Sequence, residues 1–246
     1  MVLRKVIEKI NERLSYYVGM WYKKGELGIM DEDVISDGNK YWCKNGFVHC
    51  IEYANGTKEW YILDKRHRDD GPAVEWASGT KEWYILDKRH REDGPAIEWV
   101  NGEKEWWHNG RLHRLDGPAV ERPNGYKGWY KNGLRHCDDG PAIEWGNGEK
   151  WWYKNGKIHR EDGPAIEYKN GDKSWFIDGE SHRDDGPAIE CANGHKEWFV
   201  NGNRHRDDGP AIECIDGTKY WYLNDDEYTR EEFILYQFSR GVVIGE

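Results

Sequence analysis

Seven copies of one string hold the residue types that do chemistry. HRDDGPAVE starts at His67, HREDGPAIE at His90 and His159, HRLDGPAVE at His113, HCDDGPAIE at His136, and HRDDGPAIE at His182 and His205. Histidine beside carboxylates is the material of general acid–base catalysis and of cation binding, and arginine forks onto phosphate or carboxylate. An active site, however, needs one preorganised constellation with matched pKa values, and equal copies would give equal sites. Nucleophiles are also lacking: serine is scarce, and no cysteine recurs with a histidine. Cys137 follows His136, but the sister copies carry Arg there. The string lacks the oxygen-rich spacing of calcium loops. Histidines spaced one repeat apart, about 10 Å along a sheet, cannot share a zinc ion. The sequence therefore predicts no catalysis, no metal and no cofactor.

Two readings of the string remain. In the first it is a hairpin part. Asp116 and Gly117 make a turn, Pro118 stiffens its exit, Arg114 and Glu121 form rungs of a charge ladder, and His113 donates a hydrogen bond that fixes the turn. In the second, the row His90, Arg91, His113, Arg114, His159, Arg160, His182, Arg183, His205 and Arg206, with exposed Trp, holds a partner or a small anion such as a nucleotide between repeats.

The elements that position these residues follow from the period. The seven histidines recur every 23 residues, and so do Trp60, Trp83, Trp106, Trp129, Trp152, Trp175, Trp198 and Trp221. An unbroken period of this length identifies a repeat architecture. Asn-Gly and Asp-Gly pairs, as in Asn101-Gly102, Asn109-Gly110 and Asp116-Gly117, close tight turns. Between them lie runs such as EKEWWH and PAVER, too short for helices and rich in aromatic or β-branched residues. Reversal about every ten residues predicts antiparallel hairpins, with a parallel β-solenoid as the alternative. In KEWY the Trp and the aromatic after it point to opposite faces. The Trp row is expected to be the structural core of the array, with each repeat leaning on the next.

Residues 38–224 form this array, one degenerate repeat plus seven full ones. The degenerate copy keeps Trp42, Asn45, Gly46 and His49 but lacks five residues of the DDGPA region, so Trp42 and Trp60 are only 18 apart. Segments 57–76 and 80–99 are nearly identical, the mark of a recent internal duplication. Leu3, Val6, Ile7, Ile10, Leu14 and Val18 follow helical spacing and predict a capping helix over 1–20. A second helix with a tail is expected over 226–246, with Thr229 as N-cap, Glu232 completing a capping box and Gly241 as the stop. Both helices would cover open sheet edges.

Composition agrees. Leu, Ile, Val and Phe total 43 of 246 residues, while 15 Trp and 15 Tyr carry the apolar surface. The net charge of −10 argues against nucleic acid or anionic lipid as partner. Five scattered cysteines, with no C-x-x-C, point to a reducing compartment, hence the cytoplasm. The N-terminus is charged throughout and is no signal peptide, and no apolar run is long enough to insert into a membrane. The oligomeric state is not readable from the sequence.

The segment WWHNGRLHRLDGPAVERPNG resembles the MORN repeat, with Trp107, Gly110 and His113 on its pattern; Arg114 departs from the family's second glycine. It is more similar to the divergent HRxDGPA repeats of hypothetical proteins from large DNA viruses, phages and some bacteria. The resemblance covers residues 38–224 and implies an all-β, elongated, twisted antiparallel sheet of tandem hairpins. It implies a scaffold for protein contacts, virus-encoded, in the host cytoplasm or virion; lipid binding is proposed for some members. It supplies no catalytic residue.

Overall fold

The structure is a computed structural model and describes residues 33–44 and 47–240. The helix expected over 1–20 and the stop at Gly241 lie outside the described residues. The described chain divides into two bodies, one ending at Arg111 and one beginning at Leu112.

Both bodies are built from antiparallel hairpins. In the first, Val74–Glu75 pairs with Lys81–Glu82, that strand with Ile97–Glu98, and that with Lys104–Glu105. In the second, Val120–Glu121, Lys127–Gly128, Ile143–Glu144, Lys150–Trp151 and Ile166–Glu167 follow one another in chain order, and the meander continues to Lys219–Leu223. Each repeat thus contributes two strands to the sheet, as its turn spacing predicts. Every described pairing is antiparallel, which removes the parallel solenoid. The chain reverses between the two strands at glycines of positive φ, such as Gly102 (φ 87°) and Gly148 (φ 93°).

Each repeat also carries a side hairpin, such as Tyr130–Lys131 with Leu134–Arg135 or Tyr153–Lys154 with Lys157–Ile158. Its turn places two residues at positive φ, as at Asn132 (55°) and Gly133 (87°). That is the type I′ geometry that Asn-Gly favours. The repeating Trp is the joint between the two tiers. Trp152 donates its N–H to Ala165 on the sheet side, and its carbonyl accepts from His159 on the hairpin side. A strand that reads as continuous in sequence is therefore cut at the Trp, Lys150–Trp151 before it and Tyr153–Lys154 after it. The degenerate repeat shows what the missing loop does. Without DDGPA, Asn39–Lys44 and Phe47–Glu52 run as six-residue strands of one hairpin, with a bulge between Trp42 and Cys43.

The core differs from the expected Trp stack. Its centre is the small Ala of DGPA and the β-branched residue after it: Ala73, Ala96, Ala119, Ala142, Ala165, Ala188 and Ala211 are fully buried, beside Val74, Ile97, Val120, Ile143 and Ile166. The ring after each Trp forms the second layer, buried at Tyr61, Tyr84 and Tyr153 and half-buried at Trp107, Tyr130, Phe176, Phe199 and Tyr222. The eight repeating Trp are only half-buried, and Trp129 packs against the cluster of Val120, Ala142 and Ile143. The expectation that the Trp row is itself the core is corrected: the Ala and β-branched residues fill the centre, and the Trp rings border it.

At the C-terminus, Arg230–Ser239 is an α-helix, with Thr229 and Glu232 forming the expected capping box. Phe233 and Gln237 are buried against the array. Gln237 Nε2 donates to the Asp207 carbonyl at 2.7 Å, and Arg240 pairs with the Asp207 carboxylate at 2.9 Å. The helix thus sits on the last HRDDGP loop. Among the described residues, no helix is long and apolar enough to cross a membrane. Cys50, Cys137, Cys191 and Cys214 are free thiols.

Candidate functional site

The row of His-Arg-x-Asp-Gly-Pro loops is where the reactive side chains gather, and each is already engaged. Arg91 shows the pattern. Its Nε donates to Asp93 at 2.9 Å, and Nη1 donates to the Pro95 carbonyl at 3.2 Å and to Glu98 at 3.0 Å. Its Cζ lies 4.0 Å from the Trp83 ring centroid, a cation–π contact. Arg68, Arg160, Arg183 and Arg206 repeat all four contacts, on Trp60, Trp152, Trp175 and Trp198. Arg114 makes the same three hydrogen bonds, to Asp116, Pro118 and Glu121. The hydrogen bond from the Arg, then its charge, holds Asp70, Asp93, Asp116, Asp162 and Asp185 below the usual carboxylate range. Arg114 and Glu121, expected as rungs of a ladder across strands, are thus bonded to each other within one repeat.

The histidines are engaged twice. His90, His136, His159 and His182 contact the acid two residues on through Nε2, at 2.9, 2.9, 3.2 and 3.1 Å. Their Nδ1 atoms, and those of His113 and His205, face the backbone N–H of a residue one repeat on, from Asn109 for His90 to Asn224 for His205, at 3.1–3.2 Å. A ring nitrogen that accepts an N–H carries no proton, so the neutral ring bears its proton on Nε2 and donates it to the acid. Beyond the donation expected within its own loop, the ring also accepts from the side-hairpin turn of the next repeat, as His113 does from the Asn132 N–H. His67 lacks this bond, and its Nδ1 is buried without a partner. Leu86 occupies the position 19 residues on, where Asn stands after His90, His113, His136, His182 and His205.

The glycine of this loop is also corrected. Gly94, Gly117, Gly163, Gly186 and Gly209 are not at positive φ, so Asp-Gly here is no hairpin turn. A Cβ on any of them would lie 2.9–3.1 Å from the Cζ of the Arg three residues before. A side chain there would have to push the guanidinium away from its partners.

Three arrangements were not readable in advance. In the first body, Glu82 is buried and accepts from Trp76 Nε1 at 2.7 Å, Tyr84 Oη at 2.6 Å and Arg89 Nε at 3.1 Å. Burial alone would raise its pKa, but these donors outweigh that and lower it. Second, His90, Glu92 and His108 bring three potential ligand atoms within 4.8 Å of one another. His90 presents an N–H to Glu92, since its Nδ1 lone pair is taken by Asn109. A cation would first have to break that bond, so the trio reads as a hydrogen-bonded cluster. His108 replaces the Ile, Lys, Val or Leu of sister repeats, which was its only signal. Third, a cavity of about 660 Å³ lies between two successive loops of the second body, lined by Arg160, Asp162, Trp175, His182, Arg183 and Asp184.

No protein-family model and no curated protein matches the chain.

Proposed function

We propose that the array is a non-catalytic scaffold whose repeats present a surface to a protein partner. The observation that supports this is the internal use of the loop side chains. Each Arg already has an Asp, a Glu and a carbonyl, and Arg91 and its like also have a Trp ring. His90, His136, His159 and His182 each hold the next repeat through one nitrogen and an acid through the other. Groups held in this way serve the array and leave little for a reacting substrate. The likeness to divergent MORN-like repeats belongs to this reading and rests on the hairpin order and the HRxDGPA string. A reducing location, the host cytoplasm or a virion if a virus encodes the chain, accords with the free thiols.

The second reading is a sink for a small anion such as a nucleotide. The 660 Å³ cavity favours it, because two Arg and one His line it beside Trp175. Calorimetric titration with a nucleotide panel separates the two. The scaffold reading expects no heat from wild type or from Arg183→Gln. Binding lost in Arg183→Gln would overturn it in favour of the sink. Affinity purification from native lysate, with mass spectrometry of bound proteins and small molecules, then identifies the partner.

A further inference from the structure

One repeat is built like its sisters but lacks their arginine. At position 137 a Cys follows the loop histidine. The partners that hold the Arg elsewhere are all still in sequence: Asp139 corresponds to Asp93, the Pro141 carbonyl to that of Pro95, Glu144 to Glu98 and the Trp129 ring to Trp83. Their backbone frame is unchanged. Trp129 N–H donates to the Ala142 carbonyl at 2.8 Å, as Trp83 does to Ala96, and Ile143–Glu144 pairs in the common register. Among the described residues, neither the Asp139 nor the Glu144 carboxylate has a hydrogen-bond or ion-pair partner, and no cation lies over Trp129. The space is open as well. A Cβ on Gly140 would find Cys137 Sγ at 4.0 Å as its nearest neighbour, where its sisters would meet a guanidinium carbon at 2.9–3.1 Å.

We propose that this repeat is a receptor for a guanidinium cation supplied from outside the array. Five occupied copies give the expected pose: one N–H edge on Asp139, the next on both the Pro141 carbonyl and Glu144, and the plane on the Trp129 ring. That arrangement selects a planar fork over a point charge, since ammonium cannot cover the ring and reach three acceptors in one plane. The site has two acids that no cation pairs; Lys127 and Lys150 stand opposite Glu144 on the neighbouring strands, as Lys81 and Lys104 do beside the occupied Glu98, without forming an ion pair with it. Cys137 leaves it empty without adding a positive group. Two sources share this chemistry, a small guanidinium compound and the arginine side chain of a peptide.

The test compares wild type with Cys137→Arg, which fills the site from within. Methylguanidinium, the peptide acetyl-Gly-Arg-Gly-amide and methylammonium are each added at about 10 mM while thermal unfolding is followed. An affinity of about 1 mM would then shift the folding equilibrium of wild type about tenfold. The expected result is a rise in the Tm of wild type, relative to Cys137→Arg, with methylguanidinium or the peptide and none with methylammonium. A response to methylguanidinium alone assigns a small-molecule source; an equal or larger response to the peptide assigns a side chain. The variant Asp139→Asn/Glu144→Gln should lose the response and keep the fold, and the Trp129 indole resonance should shift only where the response is present. Identical responses of wild type and Cys137→Arg, or an equal effect of methylammonium, would overturn the proposal.

Discussion

A Cβ placed on Gly94 would lie 2.9 Å from the Cζ of Arg91, closer than such atoms approach. The backbone at Gly94 is not in the positive-φ region, so only the guanidinium forbids a side chain there. Gly94→Ala should therefore cost about 1–3 kcal/mol, the range for overpacking. Gly140→Ala, in the repeat whose Arg is Cys137, should be neutral or stabilise by about 0.4–1 kcal/mol through the unfolded chain. Urea denaturation of the two variants decides the matter. Equal losses would mean that the glycine serves the backbone and not the Arg.

The acids under these arginines set an acid limit. Their folded pKa values are depressed, so their contribution to stability is complete above the unfolded value, about 3.9, and is lost as pH falls below it. The melting temperature should fall as pH drops from about 4 toward 2. The variant Asp162→Asn/Asp185→Asn should show a shallower fall over that window and a lower melting temperature at neutral pH. Parallel acid limbs for variant and wild type would show that these pairs contribute nothing.

Much of this fold is legible in the letters, for specific reasons. The interval from Trp60 to Trp221 gives the repeat, and Asn132-Gly133 gives a type I′ hairpin because few other pairs accept two positive φ values. The opposite faces of Trp152 and Tyr153 follow from strand alternation. What is hidden is which face is packed. Trp152 is large and apolar and reads as core, but it is half-buried and its ring is covered by Arg160 at 4.1 Å. Ala165, small and unremarkable in sequence, is fully buried. Asp162-Gly163 looks identical in sequence to a hairpin turn; only the position of Arg160 reveals its different purpose. The candidate row is legible as a row, but that each His accepts from the next repeat needs the register. The gap at Cys137 was visible as a broken pattern, and its chemistry emerges only beside the occupied copies.

The duplicated segments of the first body carry Leu where sister turns carry Asn. Leu63 (φ 50°) and Leu86 (φ 48°) hold the left-handed conformation, which a bulky residue adopts at a cost of about 1–3 kcal/mol. Leu63 is 73% exposed and Leu86 44%, so burial offsets little of this at Leu63 and only part of it at Leu86. Leu63→Asn and Leu86→Asn should each raise stability, by about 0.5–1 kcal/mol if Asn recovers part of that strain. Chemical denaturation measures it. A loss of stability in either variant would show that the leucines make a contact needed by the fold.

The link between repeats can be tested at single-atom level. His182 Nδ1 accepts the backbone N–H of Asn201 at 3.1 Å, while its Nε2 faces Asp184 at 3.1 Å. Asn201 is exposed and sits in the side-hairpin turn at φ 50°. Among the described residues, the His182 ring is the acceptor of its amide. Removal of the acceptor in His182→Leu should cost about 0.5–1.5 kcal/mol, the net worth of a hydrogen bond, and speed exchange of the Asn201 amide by up to about tenfold. The Asn224 amide, held by His205 at 3.2 Å, serves as the control and should keep its rate. Nitrogen-15 shifts of the wild-type ring add an independent reading, since an accepting Nδ1 requires the Nε2–H tautomer. Unchanged exchange at Asn201, or an Nδ1–H tautomer, would mean that neighbouring repeats are joined by their strands alone and that the histidine row is free for another role.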